Sequence, residues 1–179
     1  LLSSGRVLIF DTTLRDGSQG RDVSFSLEAK LKIAQKLDSI GFDYIEGGWI
    51  PGNPKDKKFF ERMKDIGISN AKLVACGSTR RPNTLPRDDR SLNGLVDCNA
   101  DAVAIVGKSW RYHVEKVINT SLEENLGMIE DSVKFLKDAG KEVIYDAEHF
   151  FDGFADDPLY ALNTVKAAVK GGADHICLC

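Results

Sequence analysis

Short apolar runs rich in β-branched residues alternate along the chain with longer stretches in which apolar residues recur every three or four positions. The short runs predict β-strands, and the longer stretches predict helices with one apolar face. The predicted strands cover residues 7–10, 44–46, 72–76, 102–106, 142–146 and 175–178. The principal predicted helices cover residues 27–37, 55–63, 122–136 and 157–170. This order predicts a parallel sheet whose strands are connected by helices.

The regular alternation is compatible with an open doubly wound sheet and with an eight-stranded α/β barrel. The first predicted strand is not followed by Gly-x-Gly-x-x-Gly, which weakens the dinucleotide-binding form of the open sheet. The strands recur about every 34 residues, so eight units would take about 270 residues, close to the ~250 typical of the barrel. We therefore predict an α/β fold of the (β/α)8 TIM-barrel type, of which residues 1–179 form the N-terminal part with roughly the first six strands. On this prediction, the later strands and any C-terminal domains lie outside the sequence.

The amino-acid composition and the net charge argue against two classes of binding partner, nucleic acids and membranes. The 179 residues include 24 Lys and Arg against 27 Asp and Glu, which gives a formal net charge of −3. This balance lacks the basic excess with which proteins bind a nucleic-acid backbone. No apolar run approaches the ~20 residues that a membrane span needs. The four cysteines do not resemble a disulfide framework in a chain of this size. We therefore expect a cytoplasmic protein without nucleic-acid or membrane partners.

Residues with chemical potential follow the first predicted strand. Segment 10–20 carries Asp11, Arg15, Asp16 and Gln19, and the active site of a parallel barrel lies at the carboxyl ends of its strands. A carboxylate such as Asp16 is a suitable ligand for a hard divalent cation, and an arginine such as Arg15 stabilises a developing oxyanion. The same residues are also compatible with a structural Arg–Asp pair in a glycine-rich turn.

Residues 11–19, Asp-Thr-Thr-Leu-Arg-Asp-Gly-Ser-Gln, resemble the signature of a family of metal-dependent acyltransferases and lyases. This family includes isopropylmalate synthase, homocitrate synthase, citramalate synthase and 3-hydroxy-3-methylglutaryl-CoA lyase. Within it, the chain resembles the citramalate synthase branch in residues 44–49, 53–56, 107–110, 120–125 and 145–153. Residues 49–53, Trp-Ile-Pro-Gly-Asn, depart slightly from the Trp-Pro-Gly-Ser-Asn that is usual in the family.

The resemblance implies a TIM barrel followed by further domains, and an acyltransferase reaction in which acetyl-CoA, pyruvate and water give (R)-citramalate and free CoA. It also implies a divalent metal ion (zinc, manganese or magnesium), acetyl-CoA as co-substrate, a homodimer, and a place in isoleucine biosynthesis, a branched-chain amino acid pathway. Three alternatives stay open: an isopropylmalate or homocitrate synthase, a metal-dependent C–C lyase of the same family, and a metal- or metabolite-binding fragment without turnover.

The resemblance also assigns roles to single residues. Arg15 matches the family's catalytic arginine, Asp16 its metal-ligand aspartate, and Glu148 its active-site glutamate after the fifth strand. Glu148 is a candidate general base if burial makes its carboxylate a stronger base, and it is otherwise a residue that orients substrate. A base beyond residue 179 is a further alternative. Gln19 and Glu46 match polar positions near the arginine and are candidates for substrate binding. The family's remaining metal ligands, a His-x-His pair after the seventh strand, are expected beyond residue 179.

Asp146 is a further candidate for substrate binding, two positions before Glu148. Its negative charge would repel a second substrate carboxylate, which disfavours homocitrate synthesis.

His175, Cys177 and Cys179 occupy alternate positions of the sixth strand and therefore share one face. They are compatible with a zinc site, although small residues that line a barrel are the favoured interpretation.

His149 and the loop at residues 78–90 each have two interpretations. His149 is either a residue at the barrel mouth with a direct role or a hydrogen-bonding residue of a loop. The four arginines of the loop either bind the phosphates of CoA or belong to a solvated charged segment. His113 is expected on a surface turn.

Overall fold

The computed structural model describes residues 5–179, which form two compact units. The first unit contains residues 5–75 together with Cys98–Asp101, and the second contains Cys76–Asp97 and Ala102–Cys179. Each unit consists of β-strands and the helices that follow them. No helix among the described residues is both long and apolar enough to cross a membrane.

The first unit contains strands β1 (Phe10–Asp11) and β2 (Tyr44–Trp49), the first part of β3 (Lys72–Ser78), and helices α1 (Leu27–Ser39) and α2 (Pro54–Ile66). Its strands lie in the order β1-β2-β3, and β1 pairs in parallel with β2. Helix α2 buries Phe59, Phe60 and Met63 almost completely. It packs closely on β2 at Gly47, where an added Cβ would lie 2.3 Å from the Phe59 ring.

The second unit contains the remainder of β3 and strands β4 (Ala102–Lys108), β5 (Glu142–Glu148) and β6 (His175–Leu178), in that order. Its helices are α3 (Arg90–Asp97), α4 (Arg111–Lys116), α5 (Leu122–Asp138), α6 (Phe150–Asp156) and α7 (Pro158–Gly171). Strand β5 pairs in parallel with β4 and with β6, and the register sets Lys108 opposite Glu148 and Asp146 opposite Cys177. Asp146 and Glu148 are two positions apart and therefore share one face of β5.

Strand β1 begins at Phe10, so the prediction of a strand at residues 7–10 is wrong in its bounds. Residues 7–9 are apolar but exposed to solvent. The backbone of Ile9 nevertheless binds to Asp43. The Ile9 N–H donates to the Asp43 carboxylate at 2.9 Å, and the Ile9 carbonyl accepts from the Asp43 N–H at 3.1 Å. An apolar run therefore indicates where a strand lies but not which residue begins its ladder.

Strands β2 to β5 extend two or three residues beyond their predicted ends, whereas the prediction for residues 175–178 is confirmed. The added residues include glycines and charged residues, which interrupt the apolar run, yet the ladder between β4 and β5 continues through them. As a result, Glu148 lies in β5 rather than after it. The long helices are confirmed, but α3, α4 and α6 have only six to eight residues and are too short for an apolar period to indicate them.

The carboxyl end of β2 is fixed by Asp56 of α2, which is buried. Its Oδ2 accepts a hydrogen bond from the Trp49 N–H at 2.9 Å, and its Oδ1 pairs with the ammonium group of the buried Lys30. A Cβ on Gly48 would lie 2.4 Å from Asp56 Cγ, so this close approach requires glycine. The contacts hold the part of the strand that carries Glu46.

Candidate active site

The turn after β1 is held by its own backbone. The Thr12 carbonyl accepts hydrogen bonds from the N–H groups of Arg15 and Gly17, both at 3.1 Å. The Asp11 carboxylate accepts from the Thr13 N–H at 3.0 Å and from the Thr13 hydroxyl at 2.9 Å. Asp11 therefore has a local structural role, which is typical of an aspartate that begins a turn. Together these bonds fix the backbone from which the Arg15 side chain extends.

Arg15 contacts two carboxylates of unequal exposure. Its Nε donates to Glu46 Oε2 at 2.8 Å, and its Nη1 donates to Asp16 Oδ1 at 3.2 Å. The Glu46 side chain is 1% exposed, whereas the Asp16 side chain is 62% exposed. A charged hydrogen bond to a buried carboxylate fixes the guanidinium plane, and the exposed carboxylate stays accessible to solutes. The structure thus brings together three residues that the sequence predicts as one site.

Gln19 ends the short 3-10 turn Gly17–Gln19, which directly follows Asp16. Its N–H donates to the Asp16 carbonyl at 2.9 Å, and the residue is exposed. The structure therefore places Gln19 on the same turn as Arg15 and Asp16. Its role in substrate binding stays a prediction.

Asp16 has the chemistry of a ligand for a hard cation. Its carboxylate is exposed, and carboxylate oxygens are ligands for magnesium, manganese and zinc. Within residues 5–179, Asp16 does not belong to a cluster of three or more histidine, cysteine or carboxylate ligand atoms. Asp16 therefore fits the role of one ligand, and the identity of the others stays a prediction.

In the second unit, Lys108 and Glu148 end neighbouring strands and form an ion pair. They are direct partners in the register of β4 and β5, and Lys108 Nζ donates to Glu148 Oε2. Both side chains are partly exposed, with values of 23% for Lys108 and 33% for Glu148. The ammonium group therefore fixes the carboxylate at the strand end without covering it. The sequence predicts Glu148 but not this pairing, which depends on the register between two strands.

His149 follows Glu148 in the left-handed backbone conformation, with a φ of 53°. Its Nδ1 lies 2.8 Å from Asp152 Oδ2 in α6, and its ring centroid lies 4.5 Å from that of His113. Histidine adopts this conformation more readily than most residues, so the backbone alone does not indicate function. The Asp152 contact agrees with the interpretation of a hydrogen-bonding residue, and a direct role for His149 stays a prediction.

His113 lies in α4 with its side chain partly buried, so the prediction of a surface turn is wrong. Its ring packs against Trp110, with a centroid distance of 4.9 Å. The Nδ1 atom is buried and has no hydrogen-bond partner among the described residues. Burial lowers the pKa of His113, and the nearby His149 and Lys108 lower it further. The short helix turns this ring onto its aromatic neighbours, which the sequence pattern did not indicate.

The end of β6 brings two cysteines against Asp146. Cys179 Sγ donates to Asp146 Oδ1 at 2.6 Å, and the sulfur atoms of Cys177 and Cys179 lie 3.5 Å apart. His175 shares the strand face but pairs with Glu142 at 3.4 Å. The contact with Cys177, burial and the hydrogen bond to Asp146 all raise the pKa of the Cys179 thiol. The cluster therefore contains Asp146 where the sequence pattern suggests a histidine.

The loop at residues 78–90 contains two buried charges. The Arg80 guanidinium pairs with Glu124 at 2.6 Å and with Asp131 at 2.9 Å, and its hydrogen bond lowers the pKa of Glu124. The buried Asp89 accepts from the Ser91 N–H at 2.8 Å at the start of α3. Because a buried charge requires such partners, Arg80 and Asp89 have structural roles, and the interpretation as a solvated loop is wrong for both. Phosphate binding by the other, exposed arginines stays a prediction.

Comparison with known proteins gives a family and two close relatives. An HMGL-like family model matches residues 6–179. The chain is 54% identical over 174 residues to an (R)-citramalate synthase from Aquifex aeolicus, and 51% identical over 173 residues to one from Geobacter sulfurreducens. Each match covers 97% of this chain and 33% of the relative. The chain therefore spans about a third of the length of these curated relatives.

A solved structure agrees with the predicted fold. The hydroxymethylglutaryl-CoA lyase from Pseudomonas aeruginosa matches with a TM-score of 0.71 at 18% sequence identity, over 97% of this chain and 57% of that chain. At this level of identity, the likeness concerns the fold alone. It confirms the α/β fold of the TIM-barrel type, to which the described residues contribute six strands.

Proposed function

Because the chain belongs to the HMGL-like family, we propose that it forms part of a citramalate-forming acyltransferase. The proposed reaction condenses acetyl-CoA with pyruvate and water to give (R)-citramalate and free CoA. The names of the relatives from Aquifex aeolicus and Geobacter sulfurreducens support this product. The observation that carries the proposal is the fixed guanidinium of Arg15 beside the exposed carboxylate of Asp16.

The reaction makes three chemical demands. The methyl group of acetyl-CoA loses a proton, the resulting enolate attacks the keto carbon of pyruvate, and water then hydrolyses the thioester. During carbon–carbon bond formation, the keto oxygen gains negative charge. Arg15 is suited to stabilise this charge because Glu46 already holds the guanidinium in one orientation. Donors that are oriented before the reaction begins stabilise a transition state most effectively.

Asp16 is proposed as one ligand of a divalent cation, with zinc, manganese and magnesium as candidates. When bound, such a cation supplies Lewis-acid polarisation of the keto group of a 2-oxoacid. Two features of Asp16 support the assignment. Its side chain is exposed, and its backbone carbonyl is held by the Gln19 N–H at 2.9 Å.

Glu148 is proposed to accept the methyl proton of acetyl-CoA. A carboxylate is a competent proton acceptor when it is held within reach of the proton, and the ion pair with Lys108 holds this one. Its side chain is 33% exposed, so substrate can reach it. Gln19 is proposed to contact the 2-oxoacid directly from its exposed position, and Glu46 is proposed to act on the substrate through Arg15.

Asp146 is proposed to select against 2-oxoacids that carry a second carboxylate. Its carboxylate is partly exposed and shares a face of β5 with Glu148, so a further negative charge there would be repelled. The methyl group of pyruvate needs only a small space and no cation. A homodimeric state, a cytoplasmic location and a place in isoleucine biosynthesis belong to the same proposal.

The proposal is tested by free-thiol release from acetyl-CoA, with the complete protein and with pyruvate, 2-oxoisovalerate or 2-oxoglutarate as the second substrate. We expect the highest kcat/KM with pyruvate, by at least about tenfold, and (R)-citramalate as the product. A preference for 2-oxoisovalerate or 2-oxoglutarate would overturn it in favour of an isopropylmalate or homocitrate synthase. Cleavage of a 3-hydroxyacyl-CoA without condensation would overturn it in favour of a lyase.

A further inference from the structure

We propose that Asp146, Cys177 and Cys179 form a binding site for a borderline or soft divalent cation such as Zn²⁺ or Cd²⁺. Among residues 5–179, these three residues are the group of potential metal ligands whose donor atoms all lie within 4.8 Å of one another. The inference rests on the geometry of β5 and β6. It does not depend on the proposed acyltransferase activity, but it shares Asp146 with the proposed selection against a second substrate carboxylate.

The pairing of β5 with β6 determines which side chains meet. Asp146 and Cys177 are direct partners in the parallel register, so their side chains lie side by side on the same face of the sheet. Cys179 lies two positions after Cys177 and therefore returns to that face. Two ligands thus come from one strand and the third comes from its neighbour.

The backbone of Cys179 is anchored at both of its polar groups. Its N–H donates to the Ala147 carbonyl at 3.3 Å, and its own carbonyl accepts from the Phe150 N–H at 2.8 Å. These bonds tie Cys179 to the end of β5 and to the first residue of α6. The three ligand atoms are consequently attached to backbone whose position is already set, which lowers the cost of organising a metal site.

The distances between the ligand atoms are close to those of a tetrahedral site. With Zn–S near 2.3 Å and Zn–O near 2.0 Å, tetrahedral geometry requires about 3.8 Å between two sulfur atoms and about 3.5 Å between sulfur and oxygen. The two sulfur atoms lie 3.5 Å apart, and Cys179 Sγ lies 2.6 Å from Asp146 Oδ1. An opening of the sulfur–oxygen pair by about 1 Å, within the range of side-chain rotation, would admit the ion.

The donor set favours a thiolate-binding cation over magnesium or calcium. Two sulfur ligands and one carboxylate match the preferences of zinc and cadmium, whereas magnesium and calcium take oxygen ligands. Binding would release the thiol protons to the buffer. Water or a solute would occupy the fourth position.

Cadmium titration provides a direct test, because cadmium–thiolate complexes absorb in the ultraviolet through charge transfer. The complete protein is titrated with Cd²⁺ in a phosphine reductant, and we expect this absorption to saturate at one equivalent per chain. The double variant Cys177→Ser/Cys179→Ser is expected to lose it, and the matched control Cys98→Ser is expected to retain it. Absence of the absorption in the unmodified protein, or its persistence in the double variant, would overturn the proposal.

Two further variants identify the third ligand. Asp146→Asn is expected to weaken Cd²⁺ binding by at least about tenfold. Replacing even a residue that only hydrogen-bonds to a metal ligand weakens metal binding by that much. His175→Gln is expected to leave the affinity unchanged, because His175 pairs with Glu142 instead. Weakened binding in His175→Gln with unchanged binding in Asp146→Asn would overturn this ligand set.

A measurement on the unmodified protein covers the case in which a variant fails to fold. Zn²⁺ is expected to slow the alkylation of Cys177 and Cys179 by iodoacetamide several-fold, because a metal-bound thiolate is not free to react. Alkylation of Cys98 is expected to proceed at the same rate with and without the ion. Peptide mass spectrometry locates the modified sites. Equal rates at Cys177 and Cys179 with and without Zn²⁺ would contradict the site.

Discussion

Arg15 donates through Nε to the carboxylate of Glu46, so an anion buried within β2 fixes a cation on the turn after β1. The two side chains are 15% and 1% exposed, respectively. A lone buried carboxylate is costly, so Glu46 needs the arginine for charge compensation. Arg15 in turn needs the glutamate for its orientation. Because of this mutual dependence, the guanidinium is already ordered before substrate binds.

The first prediction concerns Arg15→Lys, which keeps the charge but loses the planar fork of donors. We expect kcat for the proposed citramalate formation to fall by about 10²–10³-fold, as when an oxyanion donor is removed. Steady-state kinetics with pyruvate measures the effect, and Arg62→Lys, an exposed change in the same unit, is the control. Near-normal kcat with unchanged saturation by pyruvate would rule out the oxyanion role.

The second prediction concerns Asp16→Asn. The Asp16 side chain is 62% exposed, so we expect the free energy of unfolding to change by less than about 1 kcal/mol. Bound divalent metal and turnover should both fall sharply, because a neutral amide is a weaker ligand than a carboxylate. Metal analysis after dialysis checks this, with the exposed Asp22→Asn as the control. Full metal content and activity in Asp16→Asn would refute the ligand assignment.

The third prediction concerns the acid stability of the first unit, which depends on Asp38. The Asp38 carboxylate accepts from the N–H groups of Asn70 at 2.7 Å, Ala71 at 2.8 Å and Ser69 at 3.0 Å. Burial alone would raise the pKa of Asp38, but these hydrogen bonds outweigh it and hold the pKa below its ordinary value of 3.8. The stabilisation is therefore present above about pH 4 and is lost as the pH falls through the folded-state pKa.

Asp38→Asn is accordingly expected to destabilise the protein by about 1.5–3 kcal/mol near neutral pH. The difference in the free energy of unfolding between the variant and the unmodified protein should become smaller as the pH falls below about 4. Urea unfolding at a series of pH values measures it, and Asp65→Asn, at an exposed position, is the control. A difference of constant size down to about pH 2 would contradict the linkage.

The strand positions follow from the sequence, but the strand ends do not. Apolar runs of β-branched residues indicated each strand, and residues 175–178 were predicted with their observed bounds. Strands β4 and β5 continue through Gly107-Lys108 and Ala147-Glu148 because their backbones stay paired. Hydrophobicity reports burial and not backbone pairing, so the apolar pattern does not mark the last paired residue of a strand.

The sequence predicts the part of the candidate site that lies within one segment of the chain. It does not predict the part that forms where two strands pair. Arg15 and Asp16 stand together in a single motif, and the structure places them in contact. The pairing of Lys108 with Glu148 and the position of Asp146 beside the cysteines depend on register between strands. Alternation along one strand identifies which side chains share a face, but it does not identify the neighbours that they meet.

The last prediction tests whether Lys108 acts through Glu148. Glu148→Gln is expected to lower kcat/KM by about 10²–10⁴-fold, as for loss of a general base. Lys108→Met should cost less, and it should add little once Glu148 is already replaced, because the ammonium group only holds that carboxylate. The double-mutant cycle should give a coupling of about 0.5–3 kcal/mol, whereas the exposed i,i+4 pair Lys134–Asp138 should give only about 0.3–0.5 kcal/mol. Additive effects at Lys108 and Glu148 would mean that the lysine acts independently of the carboxylate, and the positioning role would then be wrong.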